Sequence, residues 1–141
     1  RDISGASDLQ TFVRRAVLAS VRLFRCRMVS FYVHESADAK TVRWKLLGRY
    51  DGKGYSQGIA EPLDLSSDKR LNEALAIGAT ELMDGYPTSA TQSLLIGVSA
   101  DKPIGALLLQ NKVGISFDSK DLMAARVFAG FLPNLLAWHV K

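Results

Sequence analysis

The chain has 141 residues, of which 48% are apolar and 23% charged, with four prolines and a single cysteine. That balance excludes a disordered or low-complexity chain, and the length suits one domain with a core that needs no disulfide or metal. The net charge of +4 is carried by residues 1–27, where six arginines stand against Asp2 and Asp8; no aromatic interleaves them on their side of the helix, so nucleic-acid binding is not expected.

The first helix follows a cap at Ser7 or Asp8. Leu9, Phe12, Val13, Ala16, Val17, Ser20, Val21 and Phe24 recur at spacings of three and four, with Arg14, Arg15, Arg22 and Arg25 opposite. From Arg27 the period becomes two. Val29, Phe31 and Val33 alternate with Met28, Ser30 and Tyr32, and after a polar turn Val42, Trp44 and Leu46 alternate with Arg43, Lys45 and Leu47. The two runs predict an antiparallel hairpin. Residues 51–58 hold three glycines and no periodicity, and are read as a loop. A short helix carrying Leu71, Ala74, Leu75 and Ile77 ends at Gly78, and a short strand near 80–83 follows. Residues 93–99 and 104–110 form a second hairpin, apolar on both faces and therefore central in the sheet. The last helix starts near Asp118, and Pro133 predicts a kink or break just before it.

No apolar run is long enough to span a bilayer. Cys26 cannot form an intramolecular disulfide, which fits a reducing, cytoplasmic setting. The sequence begins at Arg1 with no signal-peptide pattern, so residues 1–141 are read as one α+β domain excised from a larger protein. Arginines beside Cys26 favour a lowered thiol pKa, but His34 and His139 are poorly placed as bases, and the cysteine is read as structural. Two histidines so far apart make no metal site. The glycines of 52–58 miss the dinucleotide fingerprint, since Ile59-Ala60-Glu61-Pro62 cannot open the helix it requires. The residues give no enzyme active site.

Taken together, the leading helix, hairpin, loop with short helix, strand pair and closing helix resemble a GAF domain over residues 9–140. The most telling stretch is Ser93-Leu94-Leu95-Ile96-Gly97-Val98, the turn at Lys102-Pro103, Ile104-Gly105-Ala106-Leu107-Leu108-Leu109, and Phe117. Asn111-Lys112, Phe117 and Asp121 also resemble a motif of cyclic-nucleotide-binding GAF domains, with Leu122 where that motif has glutamate. The resemblance implies a central antiparallel sheet, the terminal helices on one face, and the segment 51–87 over the other. It implies a lysine–aspartate pair tying the strand-to-helix loop. It further implies a non-enzymatic regulatory domain that binds a small molecule between the sheet and that segment and relays a change to an attached domain. The alternative is a dimerisation or docking module without ligand. Positions implied to line the pocket are Arg49, Tyr50, Tyr55, Gln57, Asn72, Thr91, Gln92 and Ser93. The ligand is left open, with a cyclic nucleotide one candidate; no metal or haem is expected, nor a covalent bilin, since Cys26 precedes the first strand. The apolar surround of the last helix (Leu122, Met123, Phe128, Phe131, Leu132, Leu135, Leu136, Trp138) points to a homodimer through the terminal helices.

Overall fold

The computed structural model describes residues 5–36, 42–57, 80–85, 91–99, 103–114 and 116–139, with side chains described for 9–33, 45–57, 80–85, 91–98, 105–114 and 116–132. Helix α1 (Gly5–Phe24) leads into strands β1 (Cys26–Ser36), β2 (Val42–Tyr50), β3 (Tyr55–Gln57), β4 (Thr80–Asp84), β5 (Gln92–Ser99) and β6 (Pro103–Lys112) and helix α2 (Ser119–His139). The strands form one six-stranded sheet in the order β3-β2-β1-β6-β5-β4. Every neighbouring pair is antiparallel.

The 3.6-residue period of α1 places Phe12, Val13, Ala16, Val17 and Phe24 on the sheet, where they meet Val29, Phe31 and Val33 of β1 and Leu107 and Leu109 of β6. Phe12 meets Phe31 edge-on, with centroids 5.9 Å apart. Ser20, buried in the same stripe, donates its hydroxyl proton to the Ala16 carbonyl at 2.8 Å. Helix α2 lies over β4 and β5 and touches α1, so both helices cover one face of the sheet. Phe24 and Phe128 join the two helices edge-on at 6.1 Å.

Three local features differ from expectation. Helix α1 already includes Gly5, so Ser7 and Asp8 lie in its first turn instead of capping it. Residues 51–58 are not wholly loop: the Asp51 carboxylate accepts from the Lys53 and Gly54 amides at 2.9 and 3.1 Å, which closes a tight turn and returns the chain as edge strand β3. Helix α2 is continuous across Pro133 instead of broken before it, the proline removing one rung of the backbone ladder. The short helix expected near 71–77, Asn72 and most of the segment expected over the second face lie outside the described residues.

Candidate functional site

The side of the sheet away from the helices carries the second half of each strand's alternation. Ser30, Tyr32, Leu46, Met83, Ser93, Leu95, Ala106 and Leu108 are all buried there. Cross-strand register sets them in rows: Arg49, Ser30, Leu108, Leu95 and Glu81 run side by side from β2 to β4, and Leu46, Tyr32, Ala106 and Gly97 form the next row. Small side chains at Gly97 and Ala106 lower the middle of this surface. At its β2 end, Arg49 donates from Nε to Ser30 Oγ at 2.7 Å and from Nη2 to the Tyr32 hydroxyl at 3.3 Å. A guanidinium held by two hydroxyls beside an apolar floor has the chemistry to meet the polar end of a small molecule. Among the described residues no group of three metal-ligating side chains occurs.

The positions implied to line a pocket are divided between the two faces. Arg49 and Ser93 lie on the far face, with Thr91 half-buried just before β5, its carbonyl accepting from the Gly85 amide at 2.9 Å. Tyr50 and Tyr55 pack against the helix-side core, where burial raises the Tyr55 phenol above its usual range, and Gln57 is exposed beyond them. Gln92 also points to the helix side. Ser30 and Tyr32, which hold Arg49, escaped the sequence reading, although their place on the polar half of the β1 alternation was the available signal.

The Asn111-Lys112, Phe117 and Asp121 stretch is a structural joint. Asn111 adopts a left-handed backbone (φ 57°), which asparagine tolerates better than most residues, and its Oδ1 accepts from the Gln92 amide at 3.3 Å. Lys112 Nζ donates to both carboxylate oxygens of Asp121, at 2.7 and 2.9 Å. Asp118 and Asp121 cap α2 reciprocally: the Asp118 carboxylate accepts from the Lys120 and Asp121 amides, and Asp121 Oδ2 accepts from the Asp118 amide at 3.0 Å. The Asp121 amide, with that of Lys120, holds the Asp118 carboxyl below its ordinary pKa. Leu122, in place of the motif's glutamate, packs half-buried on the core.

Cys26 begins β1 instead of preceding it and is buried beside this joint. Its thiol is pushed up to about 12, first by burial and then by Asp121, with Lys112 opposing. The lowering expected from nearby arginines is therefore reversed, because Arg25 and Arg27 are exposed and the thiol is not.

On the helix side, Leu23, Phe24, Asp121, Ala124, Val127, Phe128 and Phe131 line a groove of about 420 Å³ between α1 and α2. Leu23, Val127 and Phe131 are each more than 60% exposed, as is Met123 one turn from Val127. No helix among the described residues is long and apolar enough to cross a membrane.

No protein-family model matches the sequence, and no curated protein matches it. Solved structures do. The chain is similar to a GAF domain/HD domain protein from Geobacter sulfurreducens, at 12% identity over 99% of this chain and 98% of that one, with a TM-score of 0.69. It is similar to the GAF domain of the cyanobacteriochrome TePixJ, at 14% identity over 99% and 96% with a TM-score of 0.69. It is also similar to the GAF domain of a two-component sensor histidine kinase from Bacillus halodurans, at 17% identity over 92% and 93% with a TM-score of 0.62. At these identities the likeness is one of architecture, it agrees with the sheet and helix layer described above, and the chain has the GAF fold.

Proposed function

We propose that this domain is a non-enzymatic sensory module: it binds a small molecule on the far face of the sheet and relays the change through α2 to an attached domain. The observation that carries the reading is the Arg49–Ser30–Tyr32 cluster at the edge of a buried apolar floor, on the face that neither helix covers. Similarity in fold to a sensor histidine kinase domain and to a cyanobacteriochrome domain supports a signalling role. A cytoplasmic location belongs to the same reading. Cyclic nucleotides are the first ligands to try, since Asn111, Lys112, Phe117 and Asp121 resemble the motif of GAF domains that bind them, with Leu122 in place of its glutamate. A thermal-shift panel of cyclic nucleotides and other small metabolites tests the proposal. A ligand at 100 times its dissociation constant adds about 2.7 kcal/mol of stability. One panel member should raise the melting temperature, and Arg49→Ala should remove the shift. A flat panel, or a shift indifferent to Arg49, would overturn the reading.

A second reading, a dimerisation module, is favoured by the exposed apolar stripe of α2. Met123, Val127 and Phe131 recur every four residues and stand in solvent beside Leu23 and the groove. Surface of this kind on a helix suits burial against another copy. The two readings are compatible, since pairing through α2 would place the relay at the dimer interface.

A further inference from the structure

The structure points to Gln92 as the positioning residue that couples the far face of the sheet to α2. This inference rests on the far face being the ligand side, as proposed above, and concerns how a change there reaches the helix.

Gln92 is the first residue of β5. Its side chain grips the backbone of Phe117 from both ends: the Phe117 amide donates to Oε1 at 2.7 Å, and Nε2 donates to the Phe117 carbonyl at 3.3 Å. The same Nε2 donates to Asp84 Oδ1 at 3.1 Å, and the Gln92 amide is held by Asn111. One carboxamide therefore joins the end of β4, the start of β5 and the residue next to the α2 cap. A peptide step away, Ser93 is fully buried on the opposite face, between Met83 of β4 and Gln110 of β6. Alternation along β5 thus puts a far-face residue and the grip on α2 on consecutive positions, where neither can shift alone. Helix α2 has a second tether, Lys112 to Asp121, on the neighbouring strand β6. With one tether on each of two adjacent strands, a displacement of β5 relative to β6 moves the start of α2 as a lever. The exposed positions Met123 and Val127 follow within the next turns of the helix.

The test needs no ligand. Ser93→Val wedges the far face, and hydrogen exchange of the segment 116–124 and the Met123 methyl resonance report on α2. In the unaltered background, Ser93→Val should change exchange in 116–124 about fivefold or more and shift the Met123 methyl, while residues 9–24 of α1 stay unchanged. In a Gln92→Leu background both responses to Ser93→Val should vanish; Gln92→Met serves if Gln92→Leu does not fold. The same response with and without Gln92, equal changes across α1 and α2, or no response in the unaltered background would each overturn the inference. Such a failure would leave the ligand reading intact, since no ligand enters the measurement.

Discussion

Gly105 shows how one position is dictated by its neighbours. It is the third residue of β6, and a Cβ there would run into the Tyr32 carbonyl and the Phe31 ring. The backbone carbonyl belongs to a central strand paired on both sides and has little room to retreat. Gly105→Ala should therefore cost about 1–3 kcal/mol, as overpacked cores do, measured by urea denaturation. Cys26 makes the opposite kind of statement, about a reactive group made inert. With its thiol pushed up to about 12, it stays protonated through neutral pH. Ellman's reagent should leave the native protein unmodified at pH 8 and label it fully in denaturant. Rapid native labelling would show that the thiol is reached without unfolding.

At the level of elements, the joint between β6 and α2 is held by a dense set of polar contacts. The Lys112 and Asp121 side chains are 17% and 11% exposed, so removing either leaves the other largely dry and unpaired. Asp121 keeps the Asp118 amide as a partner when Lys112 is lost, which limits the damage. Lys112→Ala should cost about 2 kcal/mol, and a double-mutant cycle with Asp121→Asn should show clear coupling; a coupling near zero would make the pair incidental. This joint was legible through the resemblance of Asn111, Lys112, Phe117 and Asp121 to the family motif, which implied the lysine–aspartate pair that the structure contains. The first hairpin was readable from alternation, the second from two apolar runs joined by a turn, and α1 from its stripe. The division of the site between two faces was not. In the middle of β5 and β6, over residues 94–98 and 104–109, every residue is apolar or glycine, so period-two patterning cannot say which half faces the helices. In β2 a bulge at Leu47 shifts the register opposite Phe31 and Tyr32 and so reverses which face every later residue meets, putting Arg49 on the far face and Tyr50 on the helix side. The Gln92 grip spans a sequence separation that no local pattern reports.

For the whole molecule, both described helices lie on one side of the sheet, and the apolar stripe of α2 is open to solvent. Val127→Glu combined with Phe131→Glu should give a well-folded monomer, while sedimentation of the unaltered chain should show a dimer at micromolar concentration. A monomer at high micromolar concentration would leave the stripe to some other partner. The sheet order also bears on how the protein reaches its native state. The β1–β2 and β5–β6 pairs close short connections, but β1 and β6 join residues about 70 to 90 positions apart, at a far larger loop-closure cost. Assembly should accordingly proceed from two early hairpins to a late central seam, with the barrier at the zipping of β1 against β6. Stopped-flow measurements should find that Val29→Ala and Leu109→Ala, which face one another across that seam, slow refolding. Met83→Ala on the outer strand β4 should chiefly hasten unfolding. The strand pair that holds the two halves of the sheet together is then also the one that sets the pace of its formation.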